Sequence, residues 1–133
     1  MSKRGRAFLV LFLGYLGIVA WCCFGHFDSL PEVQSELFGI PMDKVVHFLM
    51  FLPFVFLGYM AFYSNSREKW KSVLIALAVL AAGILIAAAT ELGQSLTDYR
   101  SGDPWDLAAD ISGLVLAFVM VVALVLIQKR KNR

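Results

Sequence analysis

The chain has 133 residues, of which 59% are hydrophobic and 17% charged, with a mean hydropathy of +0.72 and a net charge of +2. Soluble domains run nearer 45–50% apolar and about 25% charged, so the composition excludes an ordinary water-soluble globule and predicts a membrane protein. Four almost uncharged stretches stand out, Ala7–Phe24, Val45–Tyr63, Val73–Thr90 and Leu107–Ile127, of 18, 19, 18 and 21 residues. As helices they extend about 27–32 Å, the thickness of a hydrocarbon core. What lies between them is too short to build a core of its own, so one all-α domain, a four-helix transmembrane bundle over 1–133, is expected to act in or at the bilayer.

Lys3, Arg4 and Arg6 ahead of the first stretch resemble the start of a signal peptide. The apolar run is long for such a peptide and no small-x-small cleavage site follows it, so a retained helix is expected. A lipoprotein reading of Cys22 fails because Trp21 occupies the position that needs a small residue. Cys22 and Cys23 have no spaced partners, so they are read as packed or lipid-facing thiols.

In the first loop, Ser29, Pro31 and Glu32 have the pattern of a capping box, and Leu30, Val33 and Leu37 recur at helical spacing. The pattern predicts a short amphipathic helix on the outer membrane surface. The second span then opens near Asp43, which puts His47 one turn in on the same face, and Pro53 is placed to kink that helix. After a basic loop with Arg67, Lys69 and Lys71, the third helix runs for about 19 residues to Glu91, with Gln94 three further on. In the third loop, Asp103-Pro104-Trp105-Asp106 reads as a helix start, with Asp103 as N-cap, Pro104 in the first helical position and Asp106 where the helix dipole favours an anion.

Ten of the 12 Lys and Arg residues lie in the N-terminus, the second loop and the tail. By the positive-inside rule these segments are cytoplasmic and the first and third loops face out. Nine of the ten acids lie on the outer side. A nucleic-acid surface is not supported, because topology and anionic lipid headgroups account for the basic charge. His47, Glu91 and Asp110, from three different helices, then fall at one depth near the outer leaflet. Gly83, Ala87 and Glu91 share a stripe, as do Asp106, Asp110, Gly113 and Ala117, and small residues mark the faces on which membrane helices approach closely. The acids are therefore expected to face a polar pocket open to the outside. Each residue also has a structural reading: Asp43, Asp103 and Asp106 as caps, Glu91 as a partner of Arg100, His47 as a packing histidine.

The order Asp43-Lys44-x-x-His47-Phe48, Glu91-x-x-Gln94, Arg100 and Asp106-x-x-x-Asp110-x-x-Gly113 resembles the VanZ-like family of small bacterial membrane proteins over about residues 40–120. The position matching Asp110 is commonly Asn in that family, so Asp110 adds a possible charge here. The family's founding member is linked to resistance to the glycopeptide teicoplanin. The resemblance thus implies a bacterial cytoplasmic membrane protein acting at the outer face, and one reading of the pocket is that it recognises a lipid-linked envelope precursor there or alters its exposure.

Two kinds of chemistry suit the constellation. In one, Asp43, Lys44, Gln94, Arg100, Asp106 and Asp110 bind a phosphorylated headgroup, with Lys44 or Arg100 on the anion. In the other, His47 or Glu91 acts as general base in a small membrane-embedded hydrolase or transferase. The carboxylates and His47 are also suitable ligands for a divalent ion, although their spacing matches no specific metal motif, so cofactor and metal stay open. The remaining alternative is a structural subunit whose polar cluster locks the helices together. No nucleophilic Ser or Cys arrangement, phosphate-binding Gly loop or HExxH is present. A proton relay is disfavoured, because no ionisable residue continues the cluster across the membrane.

Overall fold

The computed structural model describes residues 1–25, 36–63, 68–99 and 102–128. In chain order these form helix α1 (Lys3–Phe24), strands β1 (Glu36–Leu37) and β2 (Ile40–Pro41), and helices α2 (Met42–Phe62), α3 (Lys69–Ser95) and α4 (Pro104–Ile127). All four helices are long and apolar enough to cross a membrane, which makes this a multi-pass membrane protein. They alternate in direction. Gln94 of α3 reaches the carbonyl of Cys23 in α1, while at the opposite end Lys69 of α3 donates to the carbonyl of Leu126 in α4.

The elements extend beyond the apolar stretches that announce them. α3 continues past Thr90 to Ser95, so Glu91 and Gln94 both lie within the helix. A backbone leaving hydrocarbon must keep its hydrogen bonds internal, and the helix persists until the chain reaches water. Asp103 caps α4 as the sequence implies, its side chain accepting from the amide of Trp105 at 2.9 Å, with Pro104 following at the start of the helix.

The surface helix is corrected where it can be seen. Residues 26–35, which carry most of that expectation, lie outside the described part of the chain, but Leu37 is in a strand and not a helix. Glu36–Leu37 pairs antiparallel with Ile40–Pro41. Phe38 and Gly39 join the strands with φ of 53° and 79°. Two consecutive left-handed residues characterise the tight turn whose twist matches a two-residue hairpin, and Gly39 was its signal in the sequence.

Packing follows the small-residue stripes. α2 and α4 make the most extensive contact, with α3 on α4 and α1 on α2. A Cβ at Gly113 of α4 would lie 2.5 Å from the carbonyl oxygen of Phe48 in α2, so only glycine allows this backbone approach. Gly83 similarly makes room for Leu114 and Phe54, and Ala87, Glu91, Asp110 and Ala117 are buried with it. The outward faces carry large apolar residues such as Leu11, Leu85 and Leu124, as expected for surfaces solvated by lipid. Pro53 lies within α2, where it removes a backbone donor. In the same turn Tyr15 of α1 donates its hydroxyl to the carbonyl of Met50, which helps tie α1 to α2.

Gly113→Ala is therefore expected to destabilise the bundle by about 1–3 kcal/mol through overpacking. Thermal unfolding in mild detergent should show a lower Tm, whereas Gly14→Ala, with nothing within 4 Å of the added methyl, leaves it unchanged or slightly raised.

Candidate functional site

The start of α2, the end of α3 and the start of α4 meet at one end of the bundle. Their polar residues join there. Lys44, in the first turn of α2, places its ammonium nitrogen 2.8 Å from Asp43 Oδ2, 2.5 Å from Asp103 Oδ2 and 2.5 Å from Asp106 Oδ1. Asp103 therefore has two tasks, since Oδ1 caps α4 while Oδ2 receives the lysine. One turn deeper, His47 Nδ1 lies 2.9 Å from Asp110 Oδ1 and His47 Nε2 lies 3.6 Å from Asp106 Oδ2. His47 thus bridges two carboxyl groups stacked one turn apart on α4. Glu91 approaches from α3, its Oε1 accepting the backbone N–H of Asp103.

Burial increases with depth. Asp43 is exposed, Asp103 and Asp106 are half-buried, and Asp110 retains only 1% of its surface. Glu91 Oε2 and Asp110 Oδ2 are both buried without a hydrogen-bond partner among the described residues. The Lys44 ammonium, and after it the Trp105 amide, hold the Asp103 carboxyl below the usual carboxylate range.

A cavity of about 510 Å³ opens beside this network. It is lined by the polar residues Asp43, His47, Gln94, Tyr99, Asp103 and Asp106 and by Cys22, Cys23, Met42, Val46 and Met50. The structure thus brings Asp43, Lys44, His47, Glu91, Asp106 and Asp110 into one network. Gln94 borders the cavity, but its amide is engaged by the Cys23 carbonyl at 2.9 Å, which makes it a fastening between α3 and α1. Arg100 lies outside the described residues, and so does the pairing with Glu91 expected for it.

Sequence reasoning missed part of the site. The pairing of Asp103 with Lys44 was missed, because nothing in the local pattern that makes Asp103 a cap shows that Lys44, 59 positions away, reaches it. Cys22, Cys23 and Met50 carry no sequence signal for a cavity wall. Tyr99 carries none either, although its hydroxyl closes the same end by donating to the Phe24 carbonyl at 2.9 Å.

Chemically, the network offers two devices. The Asp110 contact orients the His47 ring with Nε2 turned toward Asp106, an arrangement suited to proton transfer at a bound group. Asp43, Asp103 and Asp106 each present a carboxylate oxygen within 4.8 Å of the others, a spread compatible with a hard divalent cation.

Fold and site define a four-span membrane protein with an amphipathic cavity and a buried carboxyl–histidine network at one end. A profile of the VanZ/LLP1 family matches residues 12–127, which include parts or all of every helix and the whole network, and the chain belongs to that family. No curated protein and no solved structure matches it.

Asp103→Asn retains the cap and removes the charge that binds Lys44. Because the folded-state pKa of Asp103 is lowered, its contribution is full above the ordinary value of about 3.9 and is lost as pH falls through the lower folded value. The Tm difference between wild type and Asp103→Asn should therefore hold steady from about pH 7 to pH 5 and shrink only below about pH 4.

Proposed function

We propose that this VanZ-family protein binds the phosphorylated headgroup of a lipid-linked envelope precursor in the outer leaflet of the bacterial cytoplasmic membrane. The observation that carries the reading is the mixed lining of the cavity, where Met42, Val46 and Met50 stand beside Asp43, His47, Asp103 and Asp106. Such a cavity at the end of a transmembrane bundle suits a ligand that is apolar on one side and highly polar on the other. Lys44, held by Asp103 and Asp106 of the cavity lining, is a cation that a phosphate oxygen would draw away from those carboxylates. Orientation follows from charge: Lys3, Arg4, Arg6, Lys69 and Lys71 cluster at the end opposite the cavity, so that end and both termini are assigned to the cytoplasm. Altered exposure of the precursor would be the route by which such a protein affects teicoplanin susceptibility.

A second reading is favoured by the His47–Asp110 contact. With its ring held by Asp110, His47 is placed to take a proton from water or a hydroxyl attacking the phosphorylated headgroup, which makes the protein a small hydrolase or transferase. Glu91, bonded to the Asp103 amide, then positions the loop that leads into α4.

Native mass spectrometry of the detergent-purified protein with undecaprenyl diphosphate separates the readings. Retention of the lipid by wild type and its loss from a Glu91→Gln protein of equal Tm supports the headgroup site. Release of inorganic phosphate by wild type, absent in a His47→Gln variant that still binds the lipid, supports the hydrolase. Equal binding of bulk phospholipid by every variant, with a lowered Tm in Glu91→Gln, supports a structural role. For the orientation, a C-terminal green fluorescent protein fusion is expected to be fluorescent and a C-terminal alkaline phosphatase fusion inactive.

A further inference from the structure

A second cavity, of about 270 Å³, lies at the end of the bundle opposite the carboxyl–histidine network. Its origin is in the helix packing. Among the described residues α1 and α4 both pack on α2 but not on each other, so a cleft opens between them with α2 as its floor. Gly5 sets the start of α1 directly on α2, since a Cβ there would come 3.1 Å from the carbonyl oxygen of Ala61. The neighbouring Arg4 is thereby brought to the cleft, which it lines together with Tyr63 at the end of α2 and Gln128 at the end of α4. Phe56 and Leu124 line it too, two turns before Tyr63 and one turn before Gln128, and so nearer the middle of the membrane. The cleft is polar where the helices end and apolar where they are deeper, and apolar space between membrane helices is filled by lipid chains.

The charge at this end is one-sided. Arg4 holds its guanidinium 5.8 Å from the centroid of the Phe8 ring, one turn along α1. Stacking on a ring occupies the face of the group and leaves its N–H donors for an acceptor. No carboxylate lines the cavity among the described residues. Glu68, the one acid that the sequence places at this end, lies 3.0 Å from Lys71, and Lys69 donates to the Leu126 carbonyl at the end of α4. The donors of Arg4 therefore await an anion that the chain does not supply here. A zwitterionic headgroup fits poorly, because its ammonium meets no carboxylate and adds to an excess of basic charge. A phosphodiester with an uncharged, hydroxyl-bearing headgroup fits, since the guanidinium takes the anion while a phenol and an amide serve the hydroxyls.

We propose that this cleft binds one anionic phospholipid of the surrounding membrane, with its phosphodiester on Arg4, its headgroup hydroxyls on Tyr63 and Gln128, and an acyl chain against Phe56 and Leu124. The bound lipid supplies the link between α1 and α4 that the two helices do not make themselves. Basic pockets between transmembrane helices are suited to such headgroups. Which leaflet provides the lipid follows from the orientation assigned above; the chemistry of the site does not depend on it, nor on the cavity at the other end.

The test is native mass spectrometry of the full-length protein in detergent, with phosphatidylglycerol and phosphatidylethanolamine of identical acyl chains supplied in equal amounts. Wild type is expected to retain one phosphatidylglycerol in preference to phosphatidylethanolamine, and the retained lipid should raise Tm. Arg4→Gln should weaken phosphatidylglycerol retention about tenfold and abolish the preference, because a charge-assisted hydrogen bond is lost. Lys3→Gln removes a neighbouring charge that does not line the cavity, and both retention and preference should persist. Leu124→Trp fills the cleft while keeping every charge, and it should lose the lipid; if Arg4→Gln does not fold, this variant decides the matter. Equal retention of the two lipids by wild type overturns the proposal. So does an equal loss in Lys3→Gln and Arg4→Gln, which marks a diffuse attraction to the basic end, and so does undiminished phosphatidylglycerol in Leu124→Trp.

Discussion

The Lys44 ammonium joins the beginnings of α2 and α4, and the arrangement of the cavity end depends on that junction. In a bilayer the apolar faces of helices gain nothing by choosing one another over lipid, so register must come from close packing and from polar groups that need partners. Here one lysine binds a residue of its own helix, the N-cap of α4 and a residue in α4's first turn. It sets the two helix starts at a common depth. His47 repeats the tie one turn lower through Asp106 and Asp110. Between these levels Gly113 lets α4 lie directly on the backbone of α2, so the polar contacts and the steric fit specify the same register.

That consistency has a chemical consequence. Close approach of α2 and α4 forces acids from α4 against a histidine and a lysine from α2, while α3 contributes Glu91 along its own small-residue face. α1 stays at the edge of this arrangement and supplies the soft cavity wall through Cys22 and Cys23. The protein thus brings apolar side chains and carboxyl oxygens together around one cavity.

Much of this was legible in the residues. Four spans followed from hydropathy because only helices can satisfy the backbone in hydrocarbon. The start of α4 followed from Asp103-Pro104, since the cap and the proline act within one turn. The inward faces of α3 and α4 followed from Gly83, Ala87 and Glu91 and from Asp110, Gly113 and Ala117, because helical periodicity converts spacing into direction. The hairpin turn at Phe38 and Gly39 was hidden by the apparent helical recurrence of Leu30, Val33 and Leu37. A period seen in three residues is weak information against a backbone whose two adjacent residues take positive φ.

The sequence by itself determined the class of protein, the number of spans, the depth of the polar residues and the helix face each occupies, because those properties are local or set by the hydrocarbon slab. Only the tertiary structure decided which residues meet. That Lys44 is shared by three carboxylates, that Asp103 serves the lysine as well as its helix, that Gln94 is a fastening to α1, and that Asp110 and Glu91 each keep an oxygen unpaired among the described residues are matters of how four helices pack side by side. Lateral helix packing is set by steric fit between residues tens of positions apart, and no local pattern in the chain carries that information.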